Sequence, residues 1–108
     1  MLSKYTNVLQ NYGIIVVMDK RRYKDIERIL KGAASHRRVQ IIDILAKEPE
    51  LSVTDIAERL SIDFRTVSEH TRKLVLSGLV IKRHDATAVR HKLTDRGKEI
   101  LKFCRTLE

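Results

Sequence analysis

At 108 residues and 43% hydrophobic content the chain has room for one domain with a small core. With 33% charged residues and a longest apolar run of five, Ile14 to Met18, it lacks the ~18–20 apolar residues of a membrane span, and its start does not read as a signal peptide. Its one cysteine, Cys104, excludes an internal disulfide, so a reducing, cytoplasmic setting is expected. The net charge of +8 is segregated: residues 19–38 carry eight Lys/Arg against three acids, residues 39–63 two against six, and residues 64–98 nine against three. An ion-pair-rich basic surface also serves solubility or thermostability, and it is an argument for a thermophilic archaeal source. Separation of sign along the chain argues further that one face meets a polyanion.

In chain order, Leu2, Tyr5, Val8, Leu9 and Tyr12 recur at near-helical spacing until Gly13 interrupts, after which Ile14 to Val17 are β-branched, so residues 1–18 read ambiguously. Tyr23 to Ala34 reads as a helix with Ile26, Ile29, Leu30 and Ala33 on one face. Ser35 is a natural N-cap for a helix from His36 to Lys47, whose Val39, Ile41, Ile42, Leu45 and Ala46 form a wide apolar stripe. Pro49 requires that helix to stop before it. Ser52 caps a short helix, Val53 to Leu60, with Ile56, Ala57 and Leu60 inward and Asp55 in the favourable first turn. Asp63 caps the next, Phe64 to Leu76, with Val67, Thr71, Leu74 and Val75 inward, and Gly78 stops it.

Leu79 to Arg83 and Val89 to Leu93 are β-prone around a polar tip, His84 to Thr87, although the tip lacks an Asn-Gly or Asp-Gly signal. Thr94 or Asp95 then caps a helix ending near Thr106, with Ile100, Leu101 and Cys104 as its apolar face. This order specifies a mainly α, α+β winged helix: a three-helix core with a two-stranded β-wing, plus an N-terminal extension and a C-terminal helix. We divide the single domain into 1–34, assigned to dimerisation, 35–93, the winged helix, and 94–108, the last helix. The reading unit, a winged helix-turn-helix, runs from Ser52 to Leu93.

A helix-turn-helix needs a small residue where its helices touch, an apolar plug in a short turn, and a second helix that is apolar inside but polar on its early outer positions. Ala57, the turn Ser61-Ile62-Asp63, and Val67 and Leu74 set against Arg65, Thr66, Ser68 and Glu69 meet these demands. The runs Val53 to Asp63, Thr66 to His70 and Leu74 to Val80 closely resemble ArsR-type winged-helix transcription regulators. The segment Lys92 to Leu101 resembles the strand-to-helix ending of MarR-like and archaeal winged-helix proteins, and together the resemblances cover about residues 35–103.

The resemblance implies sequence-specific double-stranded DNA binding, with Arg65, Thr66, Ser68 and Glu69 at base edges and Phe64 near a thymine methyl or a sugar. Chemistry agrees: Arg65 suits a guanine, Glu69 can accept from cytosine N4, and Ser or Thr serves either strand. Glu69 departs from the more usual basic or neutral residue; either it selects cytosine, or it points away and repels phosphate. Phosphate contacts are expected from Ser52, Thr54, Arg72 and Lys73, and His70 is read as a packing or phosphate residue. In the wing, Lys82, Arg83, His84, Arg90, His91 and Lys92 are the candidates for phosphate or the minor groove. The competing role for each is a solvated helix face or a charged edge strand.

ArsR-type proteins often carry a metal or metalloid site, for which soft metals demand clustered thiolates. Here Leu51 to Asp55 has no cysteine, Thr94 to Glu108 has no histidine, and His36, His70, His84 and His91 lie on different elements. No metal or other cofactor is expected. Cys104 reads as a small buried hydrophobe. Without a Gly-rich phosphate loop, a nucleophile elbow or paired carboxylates, no catalytic site is expected either. Apolar material beyond the needs of a winged helix, at Leu2 to Met18, Ile26 to Ala33 and Ile100 to Leu107, points to a homodimer, unless residues 1–18 simply cover the domain's own core. Two other functions remain compatible with these residues: a non-specific architectural DNA-binding protein, and a winged helix that binds protein.

Overall fold

The computed structural model describes residues 6–10, 13–16 and 20–108, with side chains from Lys20 onward. The elements are β1 (Thr6–Gln10), β2 (Gly13–Val16), α1 (Lys20–Ala33), α2 (His36–Lys47), α3 (Val53–Leu60), α4 (Phe64–Leu76), β3 (Val80–Asp85), β4 (Ala88–Leu93) and α5 (Asp95–Arg105). Strand β1 pairs antiparallel with β2, Leu9 opposite Ile14 and Gln10 opposite Gly13. The helical spacing read at Val8 and Leu9 is therefore corrected to a strand. A short segment ended by a glycine cannot sustain a helix nucleus, whereas the β-branched Ile14, Ile15 and Val16 supply a strand to pair with. Leu2, Tyr5, Tyr12, Val17 and Met18 lie outside the described residues.

Helix α2 sits at the centre, with Ile41, Ile42 and Leu45 essentially solvent-free. Around them pack Ile56 of α3, Val67 and Leu74 of α4, Leu79 and Val80 at the start of the wing, Leu93 of β4 and Leu101 of α5. Two stripes are narrower than their periodicity suggests. Leu30 is 50% exposed on α1 although Ile29 and Ala33 are buried, and Ala46 of α2 is exposed. Helix α1 touches the body along one edge, where Gly32 admits the Ser77 side chain into space its own Cβ would fill, so Leu30 turns outward.

Local chemistry sets the boundaries. The Ser52 hydroxyl accepts from the Asp55 N–H at 3.1 Å while the Asp55 carboxylate accepts from the Ser52 N–H at 3.1 Å, a reciprocal cap that starts α3. Ser61 ends α3 in the left-handed region (φ 55°), and the N–H of Ile62 reaches back to the Ala57 carbonyl at 3.1 Å. Asp63 caps α4 through the Thr66 N–H at 2.9 Å. Helix α4 ends as Gly78 takes φ +78° and the Leu79 N–H donates to Leu74 O at 3.0 Å, the two leucines packing together in the core. Ser35 occupies the N-cap position of α2 in extended conformation, but its side chain makes no capping bond.

Strands β3 and β4 pair in continuous register from Val80 opposite Leu93 to Asp85 opposite Ala88, so the tip shortens to Ala86 and Thr87. Ala86 holds φ 52° there, the conformation an Asn or Gly would have signalled. A third segment joins the wing: His91 N–H donates to Leu51 O at 2.9 Å and Glu50 N–H to His91 O at 2.9 Å. Thr94 caps α5 by accepting from the Gly97 N–H at 3.0 Å and donates to Gly78 O at 2.7 Å, tying α5 to the end of α4.

That junction is tight. A Cβ on Gly97 would lie 2.2 Å from the Leu79 carbonyl oxygen, backbone that cannot move without disturbing the start of the wing. Gly97→Ala is therefore expected to destabilise the fold by about 2 kcal/mol despite alanine's better helix propensity. Urea denaturation checks this, and unchanged or increased stability would contradict the packing.

Candidate nucleic-acid interface

The second helix of the pair, α4, buries Val67, Thr71 and Leu74 and turns Phe64, Arg65 and Glu69 to solvent. Phe64, Arg65, Thr66, Ser68, Glu69 and His70 line one shallow hollow at its N-terminal half. Phe64 is a large apolar side chain 57% exposed. Among the described residues, Arg65 has no carboxylate within ion-pair reach. The Thr66 hydroxyl donates to the Asp63 carboxylate at 2.7 Å, which leaves it only its acceptor lone pairs. Those bonds and its own cap hold the Asp63 carboxyl below its ordinary value.

Glu69 neither projects freely nor stands unpaired: Arg72 grips both of its oxygens, the shorter contact at 2.6 Å, and lowers its carboxyl pKa. The same pair occupies Arg72, so two candidate side chains form one locally neutral unit. Lys73 is exposed beside them. Ser52 is engaged in capping α3, and Thr54 is exposed in the first turn of that helix.

His70 accepts at Nδ1 from the Arg38 Nε at 3.2 Å, and the Arg38 Nη1 also donates to the carbonyls of Lys31 and Gly32, each at 3.0 Å. One guanidinium thus caps the end of α1, starts from α2 and fixes a side chain of α4. Arg38 is a positioning residue not singled out in the sequence; its only local signal is a cation just beyond a helix C-terminus.

Strand alternation divides the wing. Lys82 and His84 share the face of Val80, His91 and Val89, while Arg83, Arg90 and Lys92 share the other. On the first face Lys82 joins Ser68 and Arg72 around a hollow floored by Val89 and His91, between the wing and the helix pair. On the second, Arg83 grips Glu50 at 2.7 and 3.0 Å, and Arg90 binds the Asp85 carboxylate and the Glu50 carbonyl, each at 3.1 Å. Glu50 holds this place with φ 70°. His91, expected on the wing surface, is 1% exposed; its Nδ1–H donates to Leu51 O at 2.9 Å. It is a core residue, because the Leu51 segment covers that part of β4.

Together these features define a class: a helix-turn-helix with exposed side chains along the start of its second helix, flanked by a wing. Residues 35–81 match the family described as "Winged helix-turn-helix DNA-binding". It is 30% identical over 76 residues to the "Cadmium resistance transcriptional regulatory protein CadC homolog" of Staphylococcus aureus, a match that spans 70% of this chain and 63% of that protein, less than two thirds of its length. HlyU of Vibrio cholerae is 29% identical with a TM-score of 0.72, covering 82% of this chain and 97% of that one. A fragment of Mb0332 from Mycobacterium bovis, described as a homodimeric winged helix-turn-helix DNA-binding domain and a possible ArsR-family transcriptional regulator, shares the fold with a TM-score of 0.74 at 24% identity, covering 83% and 86% of the two chains.

The buried His91 and the half-buried His70 give the fold a pH dependence. Desolvation is the main cause that lowers both pKa values from the ordinary 6.5, with Arg38 adding to it at His70. Both folded values being depressed, the unfolded chain takes up protons first as pH falls. The stability is therefore complete above pH 6.5 and declines below it, well above the range where the paired carboxylates titrate. Unfolding free energies between about pH 5 and 7.5 are expected to fall towards acid, less steeply in His70→Gln and flat in the double variant with His91→Gln. A flat profile in the unsubstituted chain would contradict this.

Proposed function

We propose that the chain binds a specific double-stranded DNA sequence as a homodimer and regulates transcription from it, with α4 in the major groove and the wing along the backbone or minor groove. The observation that carries this reading is the start of α4: a solvent-facing Phe64 and Arg65 beside a half-buried Ser68, over a fully buried inner row, on a helix pair that matches a DNA-binding family. In this reading Arg65 takes a guanine edge, and Thr66, limited to accepting, faces an adenine or cytosine amino group. Glu69, neutralised by Arg72, accepts from cytosine without repelling the backbone. Lys73, Lys82 and His84 hold phosphates, as does Thr54, with Ser52 close by at the helix start. Arg83 and Arg90 serve the wing's own stability through Glu50 and Asp85.

Dimerisation is supported by apolar side chains left outside: Tyr23 and Leu30 on α1, and Phe103 and Leu107 in and just beyond α5, are each at least half exposed. The homodimeric description of the Mycobacterium bovis neighbour supports the same assembly. The protein would act in the cytoplasm, at the nucleoid; among the described residues no helix is long and apolar enough to cross a membrane.

Selection from a random duplex pool tests the reading. The expected product is a palindrome whose half-sites lie about 34–36 Å apart, bound at least ~10³-fold more tightly than random duplex. No enrichment, with only a steep salt slope, would favour architectural binding. On the selected site Arg65→Ala should cost about 1–3 kcal/mol and relax one base position. Lys82→Ala should weaken selected and random duplex alike and reduce the salt slope by about 1. Specificity unchanged in the first variant would remove Arg65 from the reading set.

A further inference from the structure

A hollow of about 460 Å³ lies between the end of α2, strand β4 and helix α5, away from the reading face. Its floor is apolar: Leu45, Leu93 and Leu101 of the core line it, beside Pro49 and Ala46. Its rim is cationic, with Lys92 from β4 and Lys98, Lys102 and Arg105 from α5. No carboxylate lines it. Arg105 leans on Asp43 at 3.6 Å, while Lys92, Lys98 and Lys102 have no acid within ion-pair reach among the described residues.

The hollow is separate from the surfaces already assigned. Lys98, Lys102 and Arg105 recur at i, i+4 and i+7 along one flank of α5, whereas Phe103 and Leu107 share another. Lys92 projects from the wing face opposite Lys82.

An anion seated among these cations would be attracted by all of them at once. A DNA phosphate would meet the charges and leave the leucine floor wet. A neutral apolar molecule would cover the floor and leave the charges uncompensated. Only a molecule with both parts satisfies both surfaces, and the volume is that of ordinary small-ligand sites, about 300–1,000 Å³. We propose that this hollow binds an amphipathic anion: a carboxylate or phosphate monoester carried on an apolar chain or ring. Its walls come from three elements, so an occupant bridges the wing's return strand, the central helix and the last helix. The proposal stands independently of the DNA reading.

Calorimetric titration of the full chain tests it, with decanoate and decyl phosphate as probes and decanol and inorganic phosphate as controls. At least one amphipathic probe is expected to bind with Kd below about 1 mM and to raise the melting temperature. Decanol and phosphate should bind at least about tenfold more weakly. Lys98→Gln with Lys102→Gln, both exposed positions, should weaken the probe about tenfold or more, while Lys20→Gln with Lys24→Gln, an equal loss of charge elsewhere, should not. The proposal is overturned if neither amphipathic probe binds, if either control binds equally well, or if the Lys98 and Lys102 variant retains full affinity with its circular dichroism unchanged.

Discussion

Burial of one face of α2 is the constraint on which the remaining placements depend. Ile41, Ile42 and Leu45 lie at 0–1% exposure, and each surrounding element contributes at least one side chain to the same cluster. Fully burying an aliphatic side chain is worth about 1.5–3 kcal/mol, so no arrangement that left this face wet would compete. The helix pair, the wing and α5 are then held in one fixed relation by short polar ties. Arg38 joins α1, α2 and α4, His91 joins β4 to the Leu51 segment, and Thr94 joins α5 to the end of α4. The reading role proposed for α4 requires side chains presented in a fixed frame, and these ties supply one.

The basic excess of the chain is not spread evenly over the molecule once it folds. The acidic stretch before α4 returns to meet part of it: Glu50 holds Arg83, and Asp43 lies against Arg105. Each exposed pair contributes little to stability, but each removes a cation from competition for phosphate. Among the described residues, two groups of cations without a carboxylate partner flank distinct surfaces. One is the strip formed by Arg65, Lys73 and Lys82 around α4; the other is the lysine rim beside α5. A polyanion and a small amphipathic anion are different answers to these two distributions of charge, since only the second has an apolar floor.

Much of the fold was legible in the sequence because its boundaries are written locally. Helices α2, α3 and α4 begin and end where Ser52, Asp63, Pro49 and Gly78 indicate, since caps and breakers act within a few residues. Thr94 capped α5 for the same reason. The shorter hairpin tip was not legible, because Ala86 takes a left-handed conformation without the usual residue type to announce it. The strand pairing of Thr6–Gln10 was missed because apolar spacing over so few residues does not separate strand from helix. In the candidate site, the outward positions of α4 were legible from periodicity, but their partners were not. That Arg83 belongs to Glu50, that Arg90 belongs to Asp85 and the Glu50 carbonyl, and that His91 lies in the core are facts of contacts distant in sequence, except for the short Asp85 step. Strand alternation could have separated Lys82 from Arg83; burial of His91 required knowing where residues 50–51 lie.

The central claim is that DNA meets the start of α4 and one face only of the wing. Amide and side-chain chemical shifts recorded while a bound duplex is titrated into the full chain address it directly. The account requires the large changes to fall on Phe64 to Glu69, Lys73, Lys82 and His84, with Arg83, Arg90, Lys92 and the Lys98 to Arg105 flank of α5 little affected. Large shifts on that second group, with the start of α4 unchanged, would contradict it.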